Sequence, residues 1–282
     1  MRFFERIWEI LECGDKELKF DKFKRFYAEY KAGKFDAQIE EGGKFDEIKP
    51  LRRPSYAAFC EVVAMREIGG KKQADKQKAF LHSIAHIEYG AVDIALDAAY
   101  RFRTLPAPFA ENWLQVAKEE CEHFALIRAR LNAHGYDYGD FTAHAHLWDM
   151  ARQTAYDPLL RMALVPRVLE ARGLDVTPAI RAKVAQRGDT ATCEVLDIIY
   201  RDEVGHVRIG NRWYHHLCQE RQLEPMALFR RLLQQHDMFV FRGYVNTEAR
   251  QRAGFSEFEL AMLHDFEQAN REHGAYSELK SQ

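Results

Sequence analysis

Apolar residues return every three or four positions along most of this chain. That period belongs to helices with one face in a core. It predicts short amphipathic helices over residues 2–12 and 15–32. Glycines and a proline make residues 33–54 a linker or extended arm. A further helix is expected over 55–67, closed by Gly69-Gly70, with Lys71 to Lys78 as a solvated helix start. A long helix then runs from an Asp75 cap to Phe102, where Pro106 and Pro108 break the chain. A second runs from about Ala110 to His134 and stops at Gly135. A helix near 144–155 follows. Asp157-Pro158, a cap with proline at the first helical position, opens a third long helix that ends at Gly173. Pro166 lies inside it and should kink the helix or release a carbonyl there. Thr177-Pro178 starts a short helix, and Asp189 caps a fourth long one over 190–218. Two more are expected near 225–242 and 256–272, and no segment alternates like a strand. The expected fold is therefore all-α. Its parts are a helical extension and linker (1–74), a central four-helix bundle (75–218) and C-terminal helices packed on the bundle (219–282).

Six polar residues interrupt the apolar stripes of the four long helices. Glu88 precedes Glu120 and His123 by 32 residues to the glutamate, and Glu170 precedes Glu203 and His206 by 33. The two sets are offset by 82 residues at the lone glutamates and 83 at the histidines. Positions three apart on a helix lie about 60° apart on one face, so each Glu-x-x-His projects as a pair. The neighbours on the same faces are apolar: Ile84, Ala85 and Val92 around Glu88, Val116, Ala117 and Ile127 around Glu120, Leu196, Ile199 and Val207 around Glu203. Carboxylates on a core-facing stripe are costly unless paired or bound to metal. One glutamate from each of two helices and Glu-x-x-His from each of two others suits a pair of metal ions inside a bundle. Mixed oxygen and nitrogen ligation favours Fe, Mn or Zn over Ca or Mg.

Bulk properties narrow the setting. At 282 residues, 47% hydrophobic and 30% charged, the chain has material for a large core. A net charge of −2 argues against a strongly basic nucleic-acid binder. Cys13, Cys60, Cys121, Cys193 and Cys218 are scattered with no C-x-x-C, which reads as reduced thiols in a cytoplasmic protein. The first twenty residues lack a signal-peptide pattern, and no apolar run is long enough for a membrane span.

The stretches AHIEYGAVDIALDAAYRF, KEECEHFALIRARL, VPRVLEARGLDVTP and IIYRDEVGHVRIGNRWY resemble the ferritin-like di-iron carboxylate superfamily. They look most like a bacterial ferritin-like family known as a domain of unknown function, whose relatives include tRNA hydroxylases of the MiaE type. The resemblance covers about residues 75–218. It implies a four-helix bundle with a two-metal centre and leaves the substrate open. Glu120 and Glu203 would bridge the metals, Glu88 and Glu170 would be terminal ligands, and His123 and His206 would give each metal one nitrogen. The absence of rubredoxin-like cysteine pairs argues against a rubrerythrin, and the terminal helices argue against a 24-subunit storage shell.

The resulting expectation is a non-haem di-iron oxygenase or oxidase with a Glu4His2 centre. It would use O2, an unidentified electron donor and a small organic or nucleoside substrate, with tRNA suggested by analogy alone. The alternatives are a ferroxidase, a di-manganese peroxide-consuming protein, or a helical interaction module with a structural metal or none. A homodimer is in keeping with such bundles. Around the ligands, Arg167, Tyr200 and Asp202 are candidates for supporting or substrate contacts. Asp93 and Asp197 are further candidates for holding the histidines. Tyr89 reads as a packing residue. His82 and His86 read as capping or interface residues, and His144 and His146 as structural.

Overall fold

The protein's structure, a computed structural model, describes residues 2–40, 47–68, 76–236, 238 and 244–279. It is all-helical, compatible with a helical bundle, and has no strand among the described residues. The chain divides into two compact units, Met1–Ala155 and Tyr156–Gln282.

The first unit holds α1 (Phe3–Leu11), α2 (Lys16–Lys31), α3 (Asp36–Glu40), α4 (Lys76–Arg101), α5 (Ala107–Ala133) and α6 (His146–Gln153). Helices α4 and α5 pair along their length as a hairpin. The expected Asp75 cap and the Gly69-Gly70 stop lie outside the described residues. Helix α5 begins three residues earlier than its prolines suggested, with Pro106 as its cap and Pro108 in its first turn. The first helical N–H groups have no partner within the helix, so a proline there costs nothing.

The N-terminal helices dock on the hairpin. Trp8 of α1 packs on Tyr100 with ring centroids 4.9 Å apart. Phe20 of α2 stacks on Phe124 at 4.8 Å. Beside that stack, the ammonium of Lys19 forms a fully buried ion pair with Asp93. It also donates to the Leu11 carbonyl (3.1 Å) and to Ser55 Oγ (2.8 Å), while Ser55 Oγ donates to Asp93 Oδ2 (3.0 Å). Every polar atom at this junction therefore has work, as burial of charge requires.

Residues 55–67, expected to be a helix, form two 3-10 turns, Ser55–Ala58 and Met65–Glu67. The segment between them uses its backbone elsewhere. Val63 N–H donates to the Ala143 carbonyl and Ala143 N–H to the Glu61 carbonyl, both at 2.9 Å. Those groups cannot also close helical turns.

The second unit holds α7 (Pro158–Leu164), a π-helical turn (Val165–Glu170), α8 (Ala171–Gln186), α9 (Thr190–Glu220), α10 (Pro225–Gln235), α11 (Thr247–Arg252) and α12 (Glu257–Leu279). Asp157 and Asp189 cap α7 and α9 as expected, accepting from Leu159 N–H (2.9 Å) and Thr192 N–H (3.1 Å). Two expectations are corrected here. Pro166 opens into a π turn rather than a bare kink. Helix α8 passes through Gly173 and Pro178 instead of ending and restarting. Proline at 178 has no N–H for the Leu174 carbonyl one turn back. That carbonyl accepts instead from Asn246 Nδ2 at 3.0 Å, so the helix continues without an orphaned acceptor. The end of the helix expected over 225–242 falls partly outside the described residues.

Candidate metal centre

Glu88 on α4 and Glu120 and His123 on α5 come together inside the first unit. All three are buried, Glu120 completely. Each offers one ligand atom, and these lie within 4.8 Å of one another. His123 Nδ1 is 3.3 Å from Glu120 Oε2 and 3.3 Å from Glu88 Oε2. The sequence folds this way for a simple reason. The i,i+3 step puts Glu120 and His123 side by side, and the pairing of α4 with α5 brings Glu88 across to them.

The electrostatics follow from burial and crowding. Burial, and then the neighbouring Glu120 carboxylate, push the Glu88 carboxyl well above the usual range. Burial opposes charge on His123, but the carboxylates of Glu120 and Glu88 outweigh it and raise the imidazole above its ordinary value. Protons are thus retained because a dry site cannot hold two bare carboxylates. A divalent cation satisfies the same demand. This group could hold a metal ion.

In the second unit the repeat takes the same local form. His206 Nδ1 is 3.8 Å from Glu203 Oε2, with the imidazole buried and the carboxylate 13% exposed. Glu170 is the last residue of the π turn and is half-buried.

The remaining candidates are placed as follows. Arg167 is fully buried and ion-paired with Glu259, so it does not present its charge to solvent. Tyr200 OH accepts from Asn246 Nδ2 at 2.9 Å. Asp202 receives Nε of Arg201 at 2.9 Å. Asp93 serves Lys19 and Ser55, and Asp197 serves Arg181 at 2.6 Å. Neither is a partner of His123 or His206 in these contacts. His86 donates Nε2–H to the His144 carbonyl (2.7 Å), since a carbonyl can only accept. Its bare Nδ1 then accepts from Tyr138 OH at 2.9 Å. Tyr138 in turn packs on Tyr89 with centroids 5.2 Å apart. Sequence reasoning missed Tyr138, whose only signal was an aromatic in a glycine- and aspartate-rich link. A cavity of about 720 Å³ lies between α2 and the outer face of α5, walled by Phe20, Phe23, Tyr27 and Phe124. Its walls include none of the six predicted ligands.

Comparison with known proteins extends over nearly the same span as this fold. Residues 12–261 match the sequence pattern of a family described as a protein of unknown function, DUF455. The chain belongs to this family. A Haemophilus influenzae relative, described as an uncharacterized protein, is 48% identical over 236 residues, covering 79% of this chain and 81% of its own. No solved structure matches. The family description agrees with the resemblance to a bacterial family of unknown function and carries no statement of activity. No helix among the described residues is long and apolar enough to cross a membrane.

Proposed function

We propose that the chain is a non-haem two-metal carboxylate enzyme, an oxygenase or oxidase of the ferritin-like kind. The observation that carries this reading is the buried Glu88–Glu120–His123 group, whose ligand atoms lie within 4.8 Å of one another in a water-poor interior. In this reading Glu170, Glu203 and His206 supply the other half. The matched spacing of the two sets and the shared Glu-x-x-His form support that assignment.

Two bound ferrous ions would supply the electrons and the open coordination positions for reducing dioxygen. The chain's own residues supply the rest. Glu88 and Glu120 give anionic oxygen donors, and Glu88 and His123 surrender their retained protons on metal binding. His123 and His206 give one neutral nitrogen each. The apolar residues around them, Ala85, Val92, Val116 and Ile127, keep water from the site. The substrate in this reading is a small organic molecule or a nucleoside.

The test is the metal content of protein purified from rich medium, measured by elemental mass spectrometry beside a His123→Ala/His206→Ala double variant. About two Fe per chain, lost in the variant, is the expected result. Two Mn would shift the chemistry to peroxide. Equal metal in both proteins, or none after anaerobic loading with ferrous iron, would sink the reading.

A further inference from the structure

Arg167 and Glu259 form a buried charge pair in the second unit, and metal ligation does not explain it. The Arg167 guanidinium is fully buried and donates Nη2–H to Glu259 Oε1. Glu259 Oε2 accepts from Ser256 N–H and Oγ–H, both at 2.9 Å. Burial works against the Glu259 charge, but Arg167 outweighs it and holds the carboxyl below its ordinary value. Three aromatic rings box the guanidinium. Its central carbon is 4.1 Å from the ring centres of Tyr214 and Phe229 and 5.0 Å from that of Phe255.

Such a pair is a poor device for stability alone. An apolar side chain of similar volume fills a box of this kind without the desolvation cost of two ions. What a buried ion pair does well is to specify one register among several.

A register is at stake here. Arg167 sits in the π turn Val165–Glu170, where the chain takes up one residue more than an α-helix allows. Pro166, its neighbour, is wedged against Gly210 of α9. A Cβ at 210 would lie 2.3 Å from the proline Cβ. Two adjacent residues of the turn are thus held from two sides, Pro166 by α9 and Arg167 by α12. Glu170 closes the same turn. Sliding the turn back to α-helical register would rotate Glu170 by about 100°.

We propose that the Arg167–Glu259 pair is a positioning pair that locks the π turn and thereby aims Glu170 as a metal ligand. This inference rests on the reading of Glu170 as a ligand given above. It gives the C-terminal helices a task in the centre: α12 brings the carboxylate that fixes a ligand 89 residues earlier.

The experiment titrates Mn²⁺ into four full-length proteins, with affinity and stoichiometry from calorimetry and folding followed by circular dichroism. The proteins are wild type, Arg167→Met/Glu259→Gln, Glu259→Asp and Glu170→Ala. Met fills the aromatic box and Gln leaves no buried charge unpaired, so the double variant is expected to fold. Its Mn²⁺ affinity should fall about tenfold or more at one of two sites, in the same way as in Glu170→Ala. Glu259→Asp keeps the charge but shortens the reach, and should show a smaller loss in the same direction. It also supplies the answer if the double variant fails to fold. Unchanged Mn²⁺ binding in whichever of these variants folds would overturn the proposal, whatever the change in melting temperature. Wild-type binding that Glu170→Ala does not alter would overturn it by removing Glu170 from the centre. No Mn²⁺ or Fe²⁺ binding by the wild type would instead defeat the two-metal reading, and this inference with it.

Discussion

His82 Nε2 accepts the N–H of Gly139 at 3.1 Å, which it can do only while the ring is neutral. Burial pushes its pKa down to about 4, and His86, buried beside the His144 imidazole, is pushed down similarly. An unfolded histidine titrates near 6.5. Below that pH the unfolded chain takes up a proton that the folded chain refuses. The stability that neutral His82 contributes is therefore intact above about pH 6.5 and lost as the pH falls towards 4. It amounts to about 3 kcal/mol at full loss. Urea unfolding at pH 7 and pH 4.5 should show a smaller acid loss for His82→Gln than for wild type, and an equal loss in both would contradict the assignment. At this scale the buried Glu88–Glu120–His123 group was readable because each residue sat on an apolar stripe at a fixed helical step. The partners of Arg167 and Asp93 were not. Glu259 and Lys19 lie 92 and 74 residues away, and no local period points to either.

Among the elements, the long helices followed their apolar period, and α7 and α9 their Asp caps, so their existence was plain from the chain. The prolines were misread in an instructive way. A proline ends a helix only if the acceptor it abandons finds no other donor, and at Pro178 the donor comes from a loop 68 residues later. Asn246 does three things there: it serves the Leu174 carbonyl, the Tyr200 hydroxyl and, through Oδ1, the N–H of Ala249 at the start of α11 (3.2 Å). Asn246→Ala should cost about 2–3 kcal/mol in chemical denaturation. Pro178→Ala restores an N–H for Leu174, so the double variant should recover part of that loss. If the single costs add independently, the carbonyl at Leu174 is not what Asn246 protects. The π turn was equally hidden, since its form depends on Gly210 having no side chain where Pro166 arrives.

At the scale of the whole molecule, ligand binding and folding are one equilibrium. A metal that binds only the native chain stabilises it by about 2.7 kcal/mol at a hundred times its dissociation constant. For a chain of this size the melting temperature should rise by about 5–10 °C on adding Mn²⁺ to chelator-treated protein. The rise should vanish in His123→Ala. A rise of equal size in that variant would mean that the cation acts elsewhere. The Lys19–Asp93 pair constrains the molecule from the other end. Asp93 lies five residues beyond Glu88 on the same helix, and its counter-charge arrives from the first tenth of the chain. The opening helices act as a cork. Pull them away, and a bare carboxylate faces an empty socket one and a half turns from Glu88. The chain cannot be trimmed back to its motif-bearing middle and still keep a dry wall behind Glu88.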